Sequence, residues 1–420
     1  MATTREDCIE LDRRDPLAPL RELFELPPQS IYLDGNSLGA LPKATAGRLA
    51  QVVRQEWGRD LIGSWNSADW IGLPGRVGDK IARLVGAGAS ELVAADSTSV
   101  NLYKVLGAAL TIARSDAPAA RRILSEHSNF PTDLYIAAGA ARERGFDLVL
   151  AGPGEIERSI DERLAVLLLT HVDYRSGRMH DMARLTRLAH DAGALVVWDL
   201  AHSAGAVPVD LHEANADFAV GCGYKYLNGG PGAPAFVWVH PSHADRFEQP
   251  LSGWMGHAAP FEFDAGYRPA GGIARYLCGT PPILSLAALE CGVDTVLAAE
   301  RFGGMQAIRR KSLALSALFA ERVDAQCAGS GLARLTPLPD AERGSQISYS
   351  RADGAYAIVQ ALIARGVVGD FRAPDVLRFG FTPLYTRHVD VFDAVDHLAA
   401  ILRSGEWQQP QFSRRAAVVT

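Results

Sequence analysis

Short apolar runs alternate along the middle of this chain with stretches whose apolar positions recur every three or four residues. RRILSEH (121–127), RLAVLLLTHV (163–172), ALVVWDL (194–200), DFAVGCG (217–223) and APAFVWVH (233–240) are near-continuous and rich in Val, Leu and Ile. Such runs suit strands covered on both faces, as in a mostly parallel sheet flanked by helices. Between two of them, DMARLTRLAHDAG (181–193) places Met182, Leu185, Leu188 and Ala189 on one helical face, opens on an Asp cap and closes on Gly193. This alternation over 90–300 predicts one large α/β domain. The rhythm then changes: a helix over 301–322, a strand over 346–350, a helix over 355–365, the run VLRFGFTP (376–383) and a helix over 389–405. These predict a smaller α+β domain. The expected organisation is an N-terminal segment, 1–60, joining the small domain, then a large domain over 61–300 and the small domain over 301–420.

Composition narrows the classes. With 420 residues, 48% hydrophobic and 21% charged, the chain can bury a sizeable core. A net charge of −6 argues against a nucleic-acid partner. The best apolar run, LAVLLLT (164–170), falls far short of the roughly 18 residues of a membrane span. The first residues, MATTREDCIELDRRD, are charged where a secretory signal needs an apolar stretch. Cys8, Cys222, Cys278, Cys291 and Cys327 are scattered without a CxxC pair, which suits a reducing compartment and no metal site. A cytoplasmic protein is expected.

In open α/β sheets ligands bind beyond the carboxyl ends of the strands. That rule draws attention to Phe130–Asp133, Thr170, Asp199 with His202, and Tyr224–Lys225. Of 42 lysines and arginines only five are lysines: Lys43, Lys80, Lys104, Lys225 and Lys311. Four lie in amphipathic helical surroundings and read as solvated stems. Lys225 follows an apolar run and closely precedes Asn-Gly-Gly-Pro-Gly. It reads either as a strand-end cap or as a desolvated amine able to form a Schiff base, which a guanidinium cannot do. Asp199 reads either as the cap of the following segment or as the anion that keeps a pyridinium nitrogen protonated. Thr98 and Ser99 precede a long apolar helix, so they suit an ordinary cap or a phosphate site at a helix N-terminus. Phe130 suits the core or a face stacked on a flat cofactor.

With these residues in hand, the chain resembles the kynureninases, within the fold type I pyridoxal phosphate enzymes of the aspartate aminotransferase superfamily. The resemblance runs essentially end to end. It is carried by IYLDGNSLGALP (31–42), SNFPTD (128–133), THVDYRSG (170–177), WDLAHSAGAVPVDL (198–211) and GCGYKYLNGGPGAPAFVWVH (221–240), completed by SGWMGH (252–257) and VLRFGFTPLY (376–385). Asp-x-x-His and a strand-end lysine recur across class V aminotransferases and cysteine desulfurases. GNSLG, FPTD and YKYLNGGPG in this order are the specific part.

The resemblance implies pyridoxal 5'-phosphate as cofactor and hydrolysis of the Cβ–Cγ bond of L-kynurenine to anthranilate and L-alanine, in tryptophan catabolism. It implies Lys225 as the Schiff-base lysine and proton carrier at the substrate Cα, with Tyr224 as a second proton carrier. Asp199 would pair with the pyridine nitrogen, with His202 nearby. Phe130 would stack on the ring, Asp133 and Thr170 would line the cofactor, and Thr98, Ser99 and Tyr224 would hold the phosphate. Trp254 and Thr280 look like phosphate ligands supplied by a neighbouring subunit, which implies a homodimer with shared active sites. Arg378 matches the arginine that clamps the substrate carboxylate, with Asn36, Ser37, Trp65 and Gly279 also placed at the substrate. Gly279-Thr280 stands where the animal enzymes have Ser-Asn, and Trp65 where they carry a histidine, so weaker action on 3-hydroxykynurenine is expected. The rival readings are a cysteine desulfurase-like enzyme or a transaminase on the same scaffold, and a pyridoxal-fold protein without turnover. A desulfurase needs a nucleophilic cysteine, and none of the five stands out.

Overall fold

Seven strands from the middle of the chain pair into one sheet. In the computed structural model, which describes residues 3–152 and 154–414, they are β1 (Leu92–Ala94), β2 (Arg122–Glu126), β3 (Asp147–Ala151), β4 (Leu164–Thr170), β5 (Leu195–Asp199), β6 (Phe218–Gly221) and β7 (Phe236–Val239). Their order across the sheet is β1-β7-β6-β5-β4-β2-β3. Strands β2 to β6 pair in parallel, while β7 runs antiparallel to both of its neighbours. The five apolar runs read from the sequence all form strands. β1 and β3 escaped that reading: β1 has only three residues, and β3 lies at the sheet edge, where its side chains alternate between outward and inward.

All seven residues of β4 are buried, as a strand covered on both faces requires. Leu167 and Leu169 point into one apolar core with Trp198, and Val166 and Leu168 into the other with Val197 and Val220. Each fully buried Leu or Val side chain contributes roughly 1.5–3 kcal/mol. The helix Met182–Asp191 begins where expected, with Asp181 accepting from Arg184 N, and the chain turns away at Gly193 with φ +80°. Further along the chain, the helix expected over 301–322 is Gly304–Gln326 instead. Gly303 and Gly304 both take left-handed φ, which splits a short turn at 300–302 from the helix proper.

The later part of the chain builds an antiparallel sheet from β8 (Ala333–Arg334), β9 (Gln346–Ser350), β10 (Asp370–Arg372) and β11 (Val376–Gly380), in the order β8-β9-β11-β10. Helices Ala355–Ala364 and His388–Ser404 close a separate apolar core on it. The apolar residues of 1–60 divide between two cores. Cys8 and Leu33 join the small sheet, whereas Leu17, Leu20 and Phe24 join the large one. The outermost residues of the expected N-terminal segment and of the 301–420 domain lie outside the described residues.

Two lysines expected to be solvated are buried. Lys104 has no exposed surface, and Lys311 is 8% exposed and paired with Asp15 at 2.6 Å. Helical periodicity does not register a charged side chain that is buried with its own counter-ion. Among the described residues no helix is long and apolar enough to cross a membrane.

Candidate active site

The carboxyl ends of β2, β4, β5 and β6 open onto a cavity of about 280 Å³. Thr98, Ser99, Phe130, Asp133, Thr170, Asp199, His202, Tyr224 and Lys225 all line it, so the sequence-derived cofactor residues converge, apart from Trp254 and Thr280. Each lies at a strand end, in the turn that follows a strand, or at the start of a helix. Asp199 is the last residue of β5, and its Oδ1 accepts from Ala201 N at 2.7 Å, so it caps the following turn and still faces the cavity. Phe130 precedes helix Pro131–Arg144 and is held by a 2.7 Å bond from its N–H to Asn129 Oδ1, leaving its ring 40% exposed. Thr170 ends β4 and donates to Asn129 Oδ1 at 2.5 Å. Lys225 leaves β6 by a short turn, with its ammonium 5.5 Å from the centre of the Tyr224 ring. The GNSLG segment packs directly on that turn. Gly39 N donates to Tyr224 O at 2.8 Å, and a Cβ at Gly39 would lie 2.5 Å from Lys225 O.

The electrostatics separate the groups by role. Burial and the charge of Asp199 hold the Asp133 carboxyl well above the usual range. Burial also raises Asp199, and the Lys225 cation opposes that shift. Asp133 is therefore the more readily protonated of the two carboxyls. Burial, reinforced by Lys225, pushes His202 far down, so its imidazole is neutral. Its buried Nδ1 has no hydrogen-bond partner among the described residues. Burial and the neighbouring Cys222 raise the Tyr224 phenol, which therefore keeps its proton. An amine, a buried carboxylate, a neutral imidazole with an unpartnered Nδ1 and a helix start rich in hydroxyls together fit pyridoxal phosphate.

Arg378, Asn36 and Ser37 gather beside this cavity rather than in it. Arg378, 1% exposed, donates Nε to Asp370 Oδ1 at 2.7 Å and Nη2 to Ser37 Oγ at 2.8 Å. The guanidinium expected to clamp a substrate carboxylate thus already holds Asp370, whose other oxygen also accepts from Arg378 Nη2 and from Arg372. Fully buried Asn36 packs in the same cluster. Burial and Asp370 push the nearby Asp34 carboxyl up to about 7. Tyr174 joins the two places. Its ring lines the cavity edge-on to Phe130, with centroids 5.2 Å apart, and its carbonyl accepts from Arg378 Nη1 at 2.6 Å.

Trp254, Gly279 and Thr280 lie outside this chain's cavity and are exposed, but close to one another. Met255 N donates to Cys278 O at 3.2 Å. Trp65 is also outside the cavity, packed edge-on against Trp70 at 5.9 Å. Besides the small residues Ala201, Gly232, Ala233 and Ala235, the cavity holds polar side chains that the sequence reading missed. Tyr174 stood inside THVDYRSG, and Asp96 and Ser97 opened the helix segment read for Thr98. Ser97, not Thr98 or Ser99, is the cap, accepting from Val100 N at 3.3 Å.

Comparison with known proteins settles the family. A family model described as "Kynureninase C-terminal domain" matches residues 308–398. Proteins named Kynureninase from Burkholderia mallei and Burkholderia pseudomallei are 55% identical over 418 residues, covering 99% of this chain and of theirs. The chain belongs to the kynureninase family. A further Kynureninase, from Pseudomonas fluorescens, is 54% identical over 419 residues, covering 99% of this chain and all of that one. The fold is also that of the Escherichia coli cysteine desulfurase CsdA, with a TM-score of 0.76, 20% identity, and coverage of 92% of this chain and 98% of that one. A cysteine desulfurase from Thermococcus onnurineus follows at 0.73 and 20% identity, covering 96% of this chain and all of that one. Similarity at that identity carries the fold alone, and among the described residues no cysteine lines the cavity in this kynureninase-family chain. Cys222 is buried, with Sγ 3.6 Å from Ala201 O.

Proposed function

We propose that this enzyme uses pyridoxal 5'-phosphate to hydrolyse the Cβ–Cγ bond of L-kynurenine, releasing anthranilate and L-alanine. The observation that carries the reading is the convergence of Lys225, Asp199 and Tyr224 on one cavity in a chain 55% identical, end to end, to proteins named Kynureninase.

In this reading the cofactor, when bound, supplies the electron sink that makes the substrate Cα proton removable and the Cβ–Cγ bond cleavable. Asp199 holds the ring nitrogen in its protonated form, with the more readily protonated Asp133 beside it. The neutral His202 adds no second cation beside that nitrogen. Phe130 covers the ring, while Thr98, Ser99, Tyr224 and the free N–H groups of the helix start take the phosphate. The Lys225 amine binds the cofactor at rest and then moves the proton at the substrate Cα. Tyr224, kept protonated, delivers a proton at the substrate side chain as the alanine product is released. Arg378 receives the α-carboxylate through its remaining Nη1 hydrogen, in company with Ser37 and Asn36.

A cytoplasmic homodimer completes the proposal, with Trp254 and Thr280 of each subunit serving the phosphate of the other. It is supported by their position outside their own chain's cavity and by the exposed aromatic group Trp254, Phe261 and Phe263, with ring centres 5.6–6.4 Å apart. Preference for L-kynurenine over 3-hydroxykynurenine belongs to the same reading and rests on Trp65 and Gly279. Incubating the loaded enzyme with L-kynurenine should give equimolar anthranilate and alanine without an oxo-acid acceptor. Pyridoxamine phosphate accumulation instead would turn the reading to a transaminase, and kcat/KM in favour of 3-hydroxykynurenine would reverse the preference.

A further inference from the structure

Lys104 has no exposed surface, although it lies in the second turn of the helix Thr98–Asp116. Its ammonium donates to Asp96 Oδ2 at 2.5 Å and to Tyr276 O at 2.6 Å. An ammonium is costly to bury, and the cost is offset only where the partners are well placed. Asp96 lies on the cavity wall directly before Ser97, Thr98 and Ser99. Its backbone is left-handed, with φ +50°, uncommon for a residue with a side chain. The main chain there is stitched to the start of β7: Ala95 N donates to Ala235 O and Ala235 N to Asp96 O, both at 2.9 Å. A carboxylate is therefore fixed at the mouth of the helix start that would take a phosphate dianion. Left alone it would repel that dianion, in a half-buried place where the interaction is poorly screened.

We propose that Lys104 is a positioning residue for the cofactor phosphate. By pairing with Asp96 it cancels the carboxylate charge beside Ser97–Ser99. Through the Tyr276 carbonyl it also ties this phosphate cup to the segment that carries Gly279 and Thr280. The proposal rests on the reading of this cavity as a pyridoxal phosphate site.

The test is titration of the apo-enzyme with pyridoxal phosphate, followed by absorbance, in the parent and three variants, with thermal unfolding alongside. Lys104→Met should raise Kd by about tenfold or more, and the loss should shrink in high salt, because one uncompensated charge is its cause. Lys104→Met/Asp96→Asn should return to within about threefold of the parent, since both charges are then gone. Asp96→Asn alone should bind at least as tightly as the parent, which keeps the test open if Lys104→Met does not fold. A Lys104→Met Kd equal to the parent's, a double variant as weak as Lys104→Met, or weakened binding in Asp96→Asn would each overturn the proposal. A parent that binds no pyridoxal phosphate would overturn the reading of the cavity itself.

Discussion

Asp133 and Asp199 show how two identical side chains acquire different tasks within one cavity. Both are 3% exposed and burial raises both; the charge of Asp199 then adds to the rise at Asp133, whereas at Asp199 the Lys225 cation is the first influence set against burial. Asp133 is therefore the neutral donor and Asp199 the anion. Replacing Asp133 with Asn, which resembles the protonated acid, should leave kcat within about tenfold of the parent, whereas Asp199→Asn should lower it by about a hundredfold or more. Equal losses in the two variants would contradict the assignment. Tyr224→Phe should slow turnover far more than it weakens cofactor binding, measured as kcat against the pyridoxal phosphate Kd. At this scale the sequence was most legible where a residue type was out of keeping with its surroundings, as with a lysine after an apolar strand in an arginine-rich chain. Asp370 was not legible, because nothing in VVGDFR announces a carboxylate that will occupy the edge of Arg378. Lys104 was misread for the same reason: a pair formed across 8 residues at a helix start leaves no periodic trace.

Among the elements, strands covered on both faces were plain in the sequence because burial leaves them no polar positions. β1 and β3 were obscured by shortness and by an edge position. The N-terminal segment illustrates what a linear pattern omits. Helix Arg5–Arg14 and the turn after it are tied to the small sheet's surroundings by Asp15, whose carboxylate meets Lys311 at 2.6 Å while Lys311 also donates to Pro383 O at 2.6 Å. Asp15→Ala strands a buried cation and should cost about 3–5 kcal/mol in urea unfolding. Asp15→Ala/Lys311→Met should recover much of that loss, because the charge left behind is then removed as well. A double variant no more stable than Asp15→Ala would show that packing, not the ion pair, ties the segment down.

For the molecule as a whole, buried neutral histidines make the fold sensitive to acid. Burial pushes His171 down to about 3. In the unfolded chain the same imidazole titrates near about 6.5. Between those values the unfolded state binds a proton that the native state refuses, so stability falls as pH drops through that window, by up to about 1.4 kcal/mol per pH unit. Urea midpoints measured from pH 7 to pH 5 should show this slope, and His171→Gln should flatten it by about one proton; an unchanged slope would contradict the assignment. A scaffold shared with cysteine desulfurases at 20% identity does not choose the reaction, so the choice rests on the family and on which side chains face the cavity. The central claim is that Lys225 is the residue that binds the cofactor there. Reducing the pyridoxal phosphate-loaded protein with borohydride and mapping the digest by mass spectrometry tests it directly. The account predicts one pyridoxyl group, on Lys225, and none in Lys225→Ala; a label on Lys104 or on any other lysine, at the same stoichiometry, would contradict it.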